Sequence, residues 1–213
     1  MDTTKKSVLP KIIIAILVLV GVGLLLYPTY TDYNERLEQK KLKDALSKQP
    51  PKKAAAKKHL PTRESFVGAV LEIPKIKLVT AVVYGTTADD LMKGPGWYTE
   101  SALPGMGNTA IAGHHTMYGG PFLNISNLKS GDDITLKFDG EIFHYKVEKV
   151  YITASTDWSI INPCGYKALT LSTCCGDRTK RLVVRAAQID QRVIEEKTAP
   201  PIKQDKAGGK PPQ

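Results

Sequence analysis

The chain has 213 residues, with 30 Lys and Arg against 21 Asp and Glu and a net charge of +9. That length holds one ordinary domain with accessory segments rather than two globular domains. The basic excess invites a nucleic-acid reading, but no aromatic-interleaved basic groove, zinc finger or helix-turn-helix pattern supports one. Arg36 to Arg63 alone carries ten basic residues against two acidic, which marks a charged connector.

After a short N-terminus, residues 1–10, comes the apolar run Ile12 to Tyr27, IIIAILVLVGVGLLLY. With its flanks it reaches the ~20 residues a bilayer requires. Leu26-Tyr27-Pro28-Thr29-Tyr30 offers no small-x-small cleavage site, so residues 11–30 read as an uncleaved transmembrane anchor. Lys5, Lys6 and Lys11 precede the run while Arg36, Lys40, Lys41 and Lys43 follow it, and charge alone leaves the orientation open. Residues 31–64 read as a stalk and a polar linker: Leu37, Leu42 and Leu46 recur at helical spacing among charges, and Pro50-Pro51 ends that pattern.

Residues 65–192 punctuate like an all-β domain. Strands are predicted at Ala69–Glu72, Lys77–Tyr84, Asn108–Ala112, Asp133–Phe138, Glu141–Thr153, Ala168–Thr173 and Arg181–Gln188. A turn falls at Asp139-Gly140, helical turns are predicted at Ala88–Leu91 and Phe122–Leu128, and seven or eight strands suggest a closed barrel. Residues 193–213 are rich in Pro, Gly and Lys with almost no large apolar residue, the composition of a disordered tail.

The chemistry concentrates in Thr170-Leu171-Ser172-Thr173-Cys174, with Gly113-His114 upstream and Arg181 downstream. The thiolate is the reactive form of cysteine, and a free thiol has a pKa of ~8.5, so a neighbouring cation activates it. Histidine can protonate a leaving amine near neutral pH. Taken alone, a Cys is more often a small buried hydrophobe and a His a hydrogen-bonded core residue. Side chains alternate along a strand, so Cys175 should project opposite to Cys174. His115 should face away from His114 as a loop residue. A Cys164–Cys175 disulfide is disfavoured by the strand length between them, and no Cys or His spacing makes a zinc site.

The whole pattern resembles the sortase family. Ile111-Ala112-Gly113-His114 matches the strand-end histidine, Thr170 to Cys174 the TLxTC signature, and Lys180-Arg181-Leu182-Val183-Val184 the basic opening of the last strand. Gly94 to Tyr98 leading to Ala102-Leu103-Pro104-Gly105 is similar to the family's connection between its second and third strands. The likeness runs from about Val67 to Asp190. It implies an eight-stranded barrel, no cofactor, and acyl transfer through a covalent intermediate. In that scheme Cys174 is the nucleophile, His114 the acid/base, Arg181 a substrate-positioning and oxyanion group, and Thr173 lines the substrate groove.

The implied partners are surface proteins with a C-terminal LPxTG or LAxTG-like sorting signal, an amine acceptor such as a lipid-linked peptidoglycan precursor, and the outer face of the membrane. His114 to Phe122 resembles the GHRTTYGAPF segment of class E, where the tyrosine matching Tyr118 is associated with signal choice; His115 and Met117 depart from it. The alternatives are a specialised class D or pilin-polymerising enzyme, and a sortase-like binding module without turnover. The aromatic lid motif common in class C is missing from Gln49 to Glu64. A cysteine L,D-transpeptidase would want an SHGC-like segment where this chain has TLST.

Overall fold

A computed structural model of the chain describes residues 9–47, 61–66, 68–176 and 179–189. The predicted linker beyond Ser47 falls largely outside them, and so does the predicted C-terminal tail.

Helix α1, Leu9–Ser47, carries the apolar run and continues without interruption into the stalk. It is long and apolar enough to cross a membrane. The sequence suggests a span and a separate short stalk helix, and the structure makes them one rod. Pro28 lies inside it and removes one backbone donor. Thr29 and Thr31 donate their hydroxyls to the carbonyls of Leu26 and Pro28, at 2.7 and 2.8 Å. Side-chain hydroxyls of this kind help a spanning helix to tolerate proline.

The remaining chain forms β1 (Ala69–Ile73), β2 (Leu78–Tyr84), the short helix α2 (Ala88–Leu91), β3 (Gly96–Trp97), β4 (Asn108–Ala112), β5 (Asp133–Phe138), β6 (Glu141–Ala154), β7 (Ala168–Cys175) and β8 (Lys180–Ile189). These strands close into an eight-stranded barrel in the order β1-β2-β3-β4-β7-β8-β6-β5. Most pairs are antiparallel; β2–β3 and β4–β7 are parallel. The β5–β6 hairpin turns at Asp139 and Gly140, with φ of 50° and 78°. Two consecutive positive φ values are what a two-residue hairpin turn needs to match the strand twist.

Strand β3 is the element missing from the predicted set. It falls within the Gly94–Tyr98 connection and has two residues, too few for a period of two to register. Without it β2 and β4 would not meet. The predicted helical turn at Phe122–Leu128 narrows to a single 3-10 turn, Ile125–Asn127.

Alternation sorts β7 between two environments. Leu169 and Leu171 enter the barrel core with Leu71, Ile111, Leu136 and Val184. Thr170 and Ser172 take the opposite face, where Tyr98, Ala110 and Ala112 form a second apolar cluster joined by Ile161. The 3-10 turn Trp158–Ile161 belongs to the β6–β7 connection, and Asn108 fixes it by donating to the carbonyls of Ile160 and Asn162, at 2.9 and 3.0 Å.

Candidate active site

Cys174, His114 and Arg181 come from the ends of three adjacent strands. In the β4–β7 pairing Ala112 stands opposite Ser172, and Gly113 N donates to Ser172 O at 3.0 Å. Strand β4 ends at Ala112, and His114 follows two residues on, at the end of the strand that lies beside Ser172. Across the other edge of β7, Cys174 is the direct partner of Arg181 on β8. Neighbouring strands lie ~4.8 Å apart, so Arg181 stands directly across from Cys174 on one side, while His114 follows the end of the strand on the other.

Cys174 is exposed and Cys175 half-buried against the core, as alternation requires. All three cysteines are free. Cys164 donates weakly to Tyr166 O at 3.4 Å.

His114 is half-buried, and burial lowers its pKa from the ordinary 6.5 because a charged imidazolium is disfavoured where water is thinned out. Its ring lies 5.1 Å from that of Tyr118, tilted by 40°. The loop behind it is drawn tight. Phe122 N donates to His114 O at 3.0 Å and Gly120 N to Met117 O at 3.0 Å. Tyr118, Gly119 and Gly120 all have positive φ, of 50°, 73° and 54°. A Cβ at Gly120 would meet His115 O at 2.6 Å, and one at Gly113 would meet the Phe122 ring at 2.6 Å. Both glycines are therefore required by space. His115 is half-buried instead of lying on the surface, and its Nδ1 is buried with no partner among the described residues.

Thr173 does not line an open groove. It is 1% exposed, and its hydroxyl donates to Gly113 O at 2.8 Å. Its parity turns it inward, where it braces the strand end that carries His114.

Arg181 is held by groups to which no motif in the sequence gives that role. Its Nε donates to Ser155 O and its Nη1 to the Tyr98 hydroxyl, both at 3.1 Å, and its guanidinium carbon lies 5.6 Å over the Trp158 ring. Tyr98 is buried, its hydroxyl 3.3 Å from Ser172 Oγ and its ring edge-on to Trp158. An arginine has five N–H donors. Two meet these acceptors, and the guanidinium is fixed on the Cys174 face of β8. Tyr98 and Trp158 reach the site from other strands and connections, far from TLST and from the strand that opens at Arg181. Arg185, on the same face, is buried and donates to Ile160 O at 3.4 Å.

The pKa of Tyr118 is pushed up, chiefly by the neighbouring Tyr27 hydroxyl of α1. Among the described residues no group of His, Cys, Asp and Glu is placed to hold a metal ion.

Residues 71–189 match the family model described as Sortase domain. The chain is 31% identical to Sortase D of Bacillus subtilis over 202 residues, covering 86% of this chain and 99% of that protein. It is 30% identical to Sortase A of Bacillus anthracis, covering 81% and 91%. Among solved structures, a Sortase D5 transpeptidase of Clostridium perfringens superposes with a TM-score of 0.61 at 28% identity, covering 73% of this chain and 98% of that one. A sortase E of Streptomyces avermitilis gives a TM-score of 0.52 at 36% identity, covering 57% and 87%.

Proposed function

Since the chain belongs to the sortase family of cysteine transpeptidases, we propose that it cleaves a C-terminal LPxTG or LAxTG-like signal between Thr and Gly and transfers the protein to an amine. The observation that supports this reading is the pairing of β7 with its two neighbours, in which Cys174 is the direct partner of Arg181 and His114 follows two residues after Ala112, the partner of Ser172.

The Cys174 thiolate attacks the threonine carbonyl, and the negative charge that develops on its oxygen is stabilised by Arg181. The tetrahedral intermediate collapses as His114 gives a proton to the glycine nitrogen; the C–N bond breaks and a thioester remains. An incoming amine then attacks the thioester and passes its proton to His114. A new amide forms and the thiolate returns. Tyr98, Ser155 and Trp158 keep the guanidinium aligned through both halves. Losing a single oxyanion donor costs ~10²–10³ in rate, the scale we assign to Arg181.

The full-length likeness is to class D, and the His114–Phe122 segment and the sortase E structures carry the class E reading. We favour acceptance of LAxTG at least equal to that of LPxTG, with a lipid-linked wall precursor as acceptor and the barrel on the outer membrane face.

The test is a transpeptidation assay on LPxTG and LAxTG peptides with several amines. Cys174→Ala should abolish cleavage and the trapped thioester, while Cys175→Ala keeps most of both. Equal loss in the two variants sinks the nucleophile assignment.

A further inference from the structure

The last third of α1 does more than lead out of a membrane. Because β3 is only two residues long and its pairing with β2 starts at Val83, the β2 edge at Ala81 has no strand beside it. A buried strand edge needs its N–H and C=O paired. The Gln39 side chain supplies the partner: its Oε1 accepts from Ala81 N at 2.7 Å and from Thr80 Oγ1 at 2.9 Å, while its Nε2 donates to Ala81 O at 3.1 Å and Lys93 O at 2.8 Å. Gln39 is 6% exposed, on a helix most of whose other side chains face outward. Gly94 makes the room; a Cβ there would stand 2.0 Å from Gln39 Nε2.

The same helix face reaches the loop behind His114. Asp32 Oδ1 accepts from Gly119 N at 2.8 Å. Glu35 is buried against Gly119, where a Cβ would lie 2.8 Å from its Oε2. Gly119 follows Tyr118, whose ring lies against the His114 imidazole. Asp32, Glu35 and Gln39 are spaced three and four apart and so share one face of the helix.

We propose that Asp32–Gln39 of α1 is a positioning element for His114, docked through Gln39 on the β2 edge and pinned through Asp32 to the Gly119 backbone. The anchor and the catalytic loop thus form one mechanical unit. Gly119 and Gly120 take positive φ freely, but Tyr118 at φ 50° holds it only when its surroundings over-determine it, and the Asp32 pin on the next residue is part of that constraint. A misplacement of ~1 Å at a reacting group can cost ~10² in rate. This inference rests on the sortase reading for its rate, but not for its geometry.

The experiment uses the full chain in lipid nanodiscs, comparing Asp32→Ala, Asp32→Asn and Gln39→Ala with wild type in steady-state kinetics and amide hydrogen exchange. Asp32→Ala and Gln39→Ala should lower kcat by about 10- to 100-fold with little change in KM. Exchange should accelerate in residues 115–120 while β4 and β7 stay protected. Asp32→Asn keeps an oxygen that accepts from Gly119 N and should restore most of kcat.

Unchanged kcat in both alanine variants overturns the proposal, even if exchange at 115–120 rises. A change confined to KM overturns it as well, and so does an Asp32→Asn variant as slow as Asp32→Ala. If wild type itself shows no turnover, the transpeptidase reading fails separately. Exchange at 115–120 then decides the docking, with no acceleration in either alanine variant counting against it.

Discussion

Tyr118 covers one side of the His114 imidazole, and burial holds the pKa of that ring below 6.5. Removing the cover should undo part of the shift. In Tyr118→Ala water reaches the ring, the imidazolium is better solvated, and its pKa rises. The limb of the pH–rate profile that belongs to His114 therefore moves to higher pH, and imidazole NMR titration should show the same displacement. A limb at the wild-type position, or below it, removes Tyr118 from this role. In the folded protein the proton binds less readily than in the unfolded chain, so His114's contribution to stability falls as pH drops through the unfolded value of 6.5. Cys174, His114 and Arg181 are legible in the sequence because each stands beside a local signature: TLST, a strand-end glycine, or the start of an apolar strand. Tyr98 and Trp158 are not. Their positions beside Arg181 follow from barrel closure and from the fold of the β6–β7 connection, neither of which leaves a periodic trace. Thr173 departs from its expected place through parity; one residue along a strand separates the groove face from the core.

Among the elements, α2 shows how a short helix can serve as a clasp. Asp90 and Thr87 form a capping box, with Thr87 Oγ1 donating to Asp90 Oδ2 at 2.7 Å and accepting from Asp90 N at 3.3 Å. Arg63 closes on the same carboxylate through two bonds, of 2.6 and 3.1 Å. Its hydrogen bonding, with that of Thr87, holds the Asp90 pKa down at about 2 despite burial. This ties the 61–66 segment to the barrel, where Phe66 stacks on Trp97 at 5.7 Å and meets the rings of Tyr84 and Phe138. Asp90→Ala should lose the cap and the ion pair together, about 2 kcal/mol in chemical denaturation near neutral pH. The depressed pKa fixes the sign: the stabilisation is complete above the unfolded value of 3.8 and disappears as pH falls through about 2. The difference between Asp90→Ala and wild type should therefore narrow in acid. A constant difference down to that range assigns the loss to packing. The capping pair is visible in Thr87-Ala88-Asp89-Asp90; the arginine that completes it is 27 residues away. The longer strands are readable because alternation has room to show, whereas β3 has none. The stalk and the span fuse because the helix runs on through Pro28 without a break.

At the scale of the whole molecule, the 39 residues of α1 make a rod of about 58 Å at ~1.5 Å per residue. A bilayer core takes ~30 Å of that, and the rest lies along the barrel. The barrel end that carries His114 faces the helix: Gly119 N donates to Asp32 at 2.8 Å, while Met117 and Leu123 on the same connection are 43% and 45% exposed. With Ile12–Tyr27 in a bilayer, this placement would put the thiol on the side of the headgroup layer, where a tethered sorting signal and a lipid-linked amine would both be concentrated. Basic residues flank the span on both sides, so the positive-inside rule does not choose between the two orientations and a measurement has to. We expect the barrel outside. Protease added to intact protoplasts should then reach the charged stretch after Ser47 and release the domain from its anchor. Alkylation by a membrane-impermeant maleimide, mapped to the modified peptide, should label Cys174 in the same cells; Cys164 is free and partly exposed and stays reactive in Cys174→Ala, while Cys175 reacts slowly because it is packed against the core. Full protection from the protease in sealed cells, with both reagents effective only after lysis, would place the barrel in the cytoplasm. Neither tethered substrate would then be within its reach, and the wall-anchoring function would have to be abandoned even with the family and the fold intact.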